Sequence, residues 1–203
     1  MNTAVLGGTF DPVHNGHLFL LHQVLTKTDY RRVIIVPTHI PPHKAYIRHV
    51  SDEDRLAMLT LAVVSFRTMH PELNNTEIII DDCEIRRKGF SYMFDTVHDV
   101  YRRYAIREKL AVVIGDDLLS GLSTWYRFDE LRALVRFLVF RREQEKPDAQ
   151  RPDLDIAYIS NDVLRVSSTD IRESAAMQNF SKLSSVLPQS VLDYIRNHGL
   201  YRN

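Results

Sequence analysis

Only one cysteine, Cys83, stands among the 203 residues, so no internal disulfide can form and no Cys-rich metal site can be built. That fits a reducing compartment, and the expected location is the cytoplasm. An excess of one charge sign is also missing, because 26 Lys and Arg balance 26 Asp and Glu. A general nucleic-acid binder carries a basic footprint that this composition lacks. No nucleic-acid partner is expected, and any polyanion must be held by a local positive site. No apolar run approaches the length of about 18 residues that crosses a bilayer, and no basic stretch followed by a long apolar one opens the chain. Neither a membrane partner nor a targeting segment is expected. Internal repeats and low-complexity tracts are absent as well. What remains is 44% apolar content, enough for a sizeable core. It reads as a single domain over 1–203, with the last helices (about 168–203) packed as its C-terminal part.

The chain alternates short apolar runs with helical periodicities. Residues 4–6, ended by Gly7 and Gly8, read as a buried strand, and Leu18, Leu21, His22 and Leu25 have helical spacing from Gly16 onward. Further strands are expected at 33–36, in "NNTEIIIDD", and at 110–114, 135–140 and 156–159. Ser51 with Asp54 forms a capping-box signature, opening a helix whose apolar face is Leu56, Leu59, Ala62 and Val63. Another helix begins near Ser91, with Met93, Val97, Val100 and Tyr104 on one side. Others are expected near 129–134, in "VSSTDIRESAA" and in "SVLDYIRNHG", the last closed by Gly199. The charged, apolar-poor "RREQEKPDAQRPD" reads as a solvated loop. This alternation predicts an α/β, Rossmann-like doubly wound fold, a mostly parallel sheet with helices on both faces. Ligands of such folds bind beyond the carboxyl ends of the strands where the strand order reverses. The two glycine-ended strands, at Gly7 and Gly115, are the places this singles out.

Between the first strand and the first helix lies "GGTFDPVHNGH". Glycines running into a helix start expose backbone N–H groups at the positive end of a dipole, which suits phosphate. Gly7, Gly8 and Gly16 would admit phosphate close to the backbone, and His14 and His17 would supply side-chain donors. Capping of the helix by the two histidines is the alternative. The stretch is neither the G-x-G-x-x-G fingerprint nor the G-x-x-x-x-G-K-[ST] phosphate loop, which turns the reading away from hydride transfer and from P-loop NTPases. In "VSSTDIRES", Ser168 and Thr169 stand at a helix start with Arg172 just inside, and a guanidinium fork suits phosphate oxygens. One hydroxyl alone would suffice as a cap. No Ser-His-Asp arrangement is evident, and His14 and His17 lack a third ligand, so no protein metal site is expected.

"GGTFDPVHNGH" closely resembles the signature of the H-x-G-H nucleotidyltransferase superfamily, with the motif at His14, Asn15, Gly16 and His17. "SSTDIR" is similar to that superfamily's S-S-T-x-I-R motif, matched at Ser168, Thr169 and Arg172. The segments "PTHIPPHK", "SYMFDTV", "IGDDLLSGLSTW" and "VLDYIRNHGLY" resemble the bacterial nicotinate-nucleotide adenylyltransferases within it, and the matches run from Leu6 to Tyr201. The resemblance implies that ATP is bound by Gly7, Gly8, Thr9, Phe10, His14, Gly16, His17, Gly115, Asp117, Ser168, Thr169 and Arg172. It implies that nicotinate mononucleotide meets Lys44, Ser91, Tyr92, Thr96 and Trp125, and that His14, His17, Lys44 and Arg172 serve catalysis. The implied reaction transfers the adenylyl group of ATP to nicotinate mononucleotide, with Mg2+ carried on the ATP. The residues alone leave alternatives: Trp125 as a core side chain, Tyr92 as packing, and Lys44 in a solvated loop. Acceptors such as nicotinamide mononucleotide or phosphopantetheine, and a non-catalytic nucleotide-binding protein, also remain open. A homo-oligomer is compatible with the sequence.

Overall fold

The computed structural model describes residues 1–42, 49–141, 151–160 and 166–202. Among them six strands form one sheet: β1 (Thr3–Gly8), β2 (Arg32–Pro37), β3 (Glu77–Ile80), β4 (Leu110–Gly115), β5 (Val135–Phe140) and β6 (Ile156–Ile159). Their order is β3-β2-β1-β4-β5-β6, and every pairing is parallel. Parallel neighbours need crossover connections that lie over the sheet, which is why helices cover both faces. The helices are α1 (Asn15–Lys27), α2 (Asp52–Met69), α3 (Cys83–Arg87), α4 (Met93–Tyr104), α5 (Phe128–Leu134), α6 (Ser168–Ala176), α7 (Phe180–Leu183) and α8 (Gln189–Asn197).

The period of two along each strand sorts the core into two layers. Ala4, Leu6, Val33, Ile35, Ala111, Val113, Leu138 and Phe140 face one side, where they pack with residues of α1, α2, α6 and α8 such as Leu21, Leu59, Ile171 and Leu192. Val5, Ile34, Val36, Val112, Ile114, Phe137 and Val139 face the other, against Val97 and Val100 of α4 and Leu131 of α5. Each of these buried aliphatic or aromatic side chains contributes about 1.5–3 kcal/mol relative to an exposed one. The final turn joins the first layer, with Tyr201 only 9% exposed.

Three details depart from the sequence reading. The buried stripe of α2 is Asp52, Arg55, Met58, Leu59, Ala62 and Phe66, so the face is rotated away from the expected Leu56 and Val63, which are only partly buried. The helices α3 and α7 have five and four residues, too short to impose a periodicity. The residues after β4 form a 3-10 stretch, Asp116–Thr124. Lys44 and residues 142–150 of the charged segment lie outside the described residues.

The rotation of α2 places a guanidinium in the interior. Arg55 has no exposed surface. It donates one hydrogen bond to the Thr9 carbonyl at 2.5 Å and another to the Asp52 carboxylate, while Asp52 also meets His39 Nδ1 at 2.9 Å. A buried charge is tolerable only when it is paired and hydrogen-bonded, and removing one partner strands the other. Arg55→Met is expected to lower unfolding free energy by about 3–5 kcal/mol, measured by urea denaturation. Arg86→Met, which breaks an exposed i,i+4 pair with Asp82, is expected to cost far less.

Candidate functional site

The strand order reverses at β1, and the pairing register shows where the sheet opens. β1 stays paired with β2 through Gly8 and Pro37, whereas its pairing with β4 ends at Leu6 and Val113. Gly7 and Gly8 therefore part from Ile114 and Gly115, leaving a crevice at the carboxyl edge. A cleft of about 570 Å³ fills it, walled by Gly7, Gly8, Thr9, Thr38, Ser91, Tyr92, Met93, Asp117, Trp125 and Tyr126 among others. That volume suits a nucleotide-sized ligand. Gly7, Gly8, Thr9, Ser91, Tyr92, Asp117 and Trp125, each expected from sequence to bind substrate, thus share one cavity.

Tyr92, Phe94, Trp125 and Tyr126 stand among the lining of this cleft. Tyr92 and Tyr126 lie with centroids 4.5 Å apart; Tyr126 is next in the chain to the half-buried Trp125, whose backbone N–H donates to the Leu122 carbonyl at 3.0 Å and closes the 3-10 stretch. Aromatic rings in a cavity wall suit a planar heterocycle. Ser91 acts inside the wall: its hydroxyl accepts the His39 N–H at 2.9 Å, and its N–H donates to the Ile40 carbonyl at 2.8 Å.

The second part of the site lies where α1 and α6 begin. His14 is the N-cap of α1, and its backbone N–H donates to Nδ1 of His17 at 3.2 Å. The two rings are stacked with centroids 3.8 Å apart. The capping function is therefore real, and it has a chemical consequence: a neutral His17 ring that accepts at Nδ1 carries its proton on Nε2, as a donor. From the other side, Ser168 donates to the Pro12 carbonyl at 3.2 Å. Arg172 donates to the Asp11 carbonyl at 2.7 Å and to the Thr169 hydroxyl at 3.1 Å. The two motifs, far apart in the chain, meet on the Asp11–Pro12 segment, and the positive ends of two helix dipoles come together there.

The glycines have a packing reason of their own. A Cβ on Gly8 would lie 3.0 Å from the Phe10 ring, and one on Gly16 would lie 3.0 Å from the His14 ring. One on Gly7 would meet the Met93 methyl at 3.2 Å. Any side chain at these positions would crowd the loop's own rings or the Met93 methyl, while Gly7 and Gly8 still line the cleft. Phe10 itself is held at a φ of 46°, a conformation costly for a non-glycine residue. Its buried ring stands edge-on to His17, centroids 4.8 Å apart, so it shapes the loop from within. Thr96 is likewise fully buried; its hydroxyl donates to Glu84 at 2.5 Å and also meets the Tyr92 carbonyl.

Sequence reasoning missed several residues that build this site. Asp11 is buried and accepts the Tyr201 hydroxyl at 2.8 Å, which pushes the Tyr201 phenol well above its ordinary range through burial and the adjacent carboxylate. Arg55 had a legible signal, a charged residue in register with Leu59, Ala62 and Phe66, and Tyr126 stood beside Trp125. Glu84 had none, since it lies in the five-residue α3. It lines the cleft, is 3% exposed, and its Oε2 has no hydrogen-bond partner among the described residues. Burial raises its pKa, with the Thr96 and Ser91 hydroxyls and the Arg87 charge opposing.

Comparison with known proteins adds to this geometry. Residues 5–174 match the family described as cytidylyltransferase-like. A protein of Borrelia garinii subsp. bavariensis, named "probable nicotinate-nucleotide adenylyltransferase", is 34% identical over 201 residues, covering 99% of this chain and 95% of its own. One of the same name from Halalkalibacterium halodurans is 36% identical, covering 98% and 90%. Among solved structures, Plasmodium falciparum nicotinic acid mononucleotide adenylyltransferase complexed with NaAD superposes with a TM-score of 0.77 at 17% identity, covering 98% of this chain and 97% of that one. At that identity the superposition speaks for the fold.

The buried Glu84 carboxyl generates a pH prediction. Its folded pKa is raised above the ordinary 4.5, so the folded state binds more protons than the unfolded one and the residue's contribution to stability declines as pH rises above that value. In Glu84→Gln this decline is removed. The melting temperature of the variant, relative to wild type, is expected to rise as pH climbs from 4.5 to the raised folded pKa and to level off above it; parallel curves would show that Glu84 ionises normally.

Proposed function

The chain belongs to the cytidylyltransferase-like family, and from that premise we propose that it transfers the adenylyl group of ATP to nicotinate mononucleotide, yielding nicotinate adenine dinucleotide and pyrophosphate. The observation that carries this reading is the crevice between β1 and β4. On one side it has an aromatic-walled cleft with Tyr92 and Trp125, and its β1 edge leads through the loop after Gly8 to a corner where two helix starts, His17 and Arg172 converge. The full-length relatives that share the name nicotinate-nucleotide adenylyltransferase support the choice of acceptor.

In this reaction an oxygen of the acceptor's phosphate forms a bond to the ATP α-phosphorus as the bond to the bridging oxygen of pyrophosphate breaks. The attacking phosphate is ionised near neutrality, since its second pKa is about 6, so no strong base is required. No covalent intermediate on cysteine is called for either: Cys83 is buried, and burial pushes its thiol up to about 12. Catalysis then rests on alignment and on neutralising the charge that grows on the leaving group. The Nε2–H of His17, the Arg172 guanidinium, the N-termini of α1 and α6 and, by the family resemblance, Lys44 are assigned that task. His14 orients His17, and Ser168 and Thr169 hold the start of α6 against the loop. The Asp117 carboxylate at the cleft wall is assigned to a ribose hydroxyl. Mg2+ arrives on the ATP phosphates: Asp11, the carboxylate of the corner, already accepts from Tyr201, and the remaining donors there suit a metal-bound polyphosphate better than a bare cation. We assign the protein to the cytoplasm, where its lone thiol stays reduced.

The test is pyrophosphate release with ATP and Mg2+, run in parallel with nicotinate mononucleotide, nicotinamide mononucleotide and phosphopantetheine, the joined product being identified by mass. Release with nicotinate mononucleotide well above the other two is expected; release with none of them would overturn the reading. His17→Ala is expected to reduce kcat by about 10²-fold or more, as does loss of one preorganised donor elsewhere, while loss of the helix cap costs no more than about 2 kcal/mol of stability and leaves the protein folded. Trp125→Ala is expected to raise KM for the pyridine nucleotide by about 10- to 100-fold, the range for loss of a base-stacking ring, and to leave KM for ATP in place. Steady-state kinetics with each substrate varied in turn checks both.

A further inference from the structure

Away from the crevice, three potential ligands from two separated parts of the chain converge. We propose that His22, His70 and Glu72 form a binding site for one divalent transition-metal ion, with Zn2+ the best match to the donor set. One ligand atom from each of the three can be chosen so that all lie within 4.8 Å of one another. His70 Nδ1 and Glu72 Oε1 are 3.0 Å apart, and the His22 and His70 rings have centroids 4.6 Å apart. In a tetrahedral site with arms of about 2.0–2.1 Å the ligand atoms sit about 3.3 Å from each other. The His70–Glu72 edge is thus near its liganded length, and rotation of the side chains brings His22 to the same spacing.

The backbone holds this arrangement in place. His22 projects from the middle of α1. His70 is the C-cap of α2, its N–H donating to the Phe66 carbonyl at 3.0 Å, and Leu73 N–H donates back to the His70 carbonyl at 3.1 Å. That turn carries Glu72 as well. The Phe66 ring lies 4.7 Å from His70 and 6.4 Å from His22, forming an apolar wall.

In the metal-free protein the His70 Nδ1–Glu72 Oε1 approach of 3.0 Å is a hydrogen bond, and ligation would put the ion in place of the shared proton. Two imidazoles and one carboxylate leave a fourth position for water, a set that zinc accepts. Along α2 the 15 steps from Arg55 to His70 span about 22 Å, which separates this cluster from Arg55 and the Thr9 carbonyl. A bound ion would clip α1 to the end of α2 and stabilise the fold without entering the chemistry.

The experiment uses the untagged full-length chain, stripped with chelator and titrated with Zn2+ and with Co2+ as a spectroscopic stand-in. One equivalent is expected to bind, with Co2+ giving visible absorption bands of a low-coordinate site. Zn2+ at about 100 times its dissociation constant is expected to raise the melting temperature by about 5–10 °C. His22→Gln and His70→Gln are each expected to weaken binding by more than about 10-fold while keeping the metal-free melting temperature close to wild type, and His17→Asn is expected to bind as wild type does. Absence of saturable binding would overturn the proposal. So would binding that persists in the double variant His22→Gln/His70→Gln, because the ion would then sit on other groups.

Discussion

The loop after β1 is held in place by a charge that has no contact with water. Arg55 reaches the Thr9 carbonyl from beneath, and because a desolvated guanidinium must keep its partners, the carbonyl cannot leave without stranding it. Asp52 balances the charge and passes the constraint on to His39. The His39 backbone N–H donates to the Ser91 hydroxyl at the approach to α4. One buried ion pair thereby ties the ends of β1 and β2 to the start of α4, the three places from which the cleft is built.

The same loop is clamped from the opposite side by the C-terminal part of the chain. Arg172 and Ser168 bind the Asp11 and Pro12 carbonyls, and Tyr201 binds the Asp11 carboxylate. These groups satisfy backbone acceptors that the irregular loop leaves unpaired, so the segment running into α1 is rigid for a reason that can be enumerated atom by atom. In the proposed reaction, preorganisation of this kind would let helix dipoles and side-chain donors meet a polyphosphate without reordering. The arginine expected from sequence to grip phosphate is, in the protein itself, a strut of the loop beside α1.

The architecture was largely legible in the sequence because its physical cause is local. Runs such as "AVL", "VIIV" and "AVVI" are apolar on both faces of a strand, and helical spacings between them leave little choice but a parallel sheet covered on both sides. The structure makes that sheet wholly parallel. Where the local cause is weak, the sequence says less: α3 and α7 hold too few residues for a period, and the face of α2 is rotated from the expected Leu56 and Val63 because two charged residues, Asp52 and Arg55, are buried in it.

The motif residues of the candidate site were legible too, since glycines, histidines and a Ser-Ser-Thr run at helix starts announce backbone donors by their spacing. The alternating pattern of strands and helices and the chemical types available at the β1–α1 junction were determined by the sequence alone. Tertiary structure decided the rest. Only folding could bring Ser168 and Arg172 onto Asp11 and Pro12, seat Arg55 under Thr9, put Glu84 in the cleft wall, and set His22 beside His70. Each of those contacts joins residues far apart in the chain, and burial and hydrogen-bond geometry between distant segments leave no mark on the local periodicity from which a sequence is read.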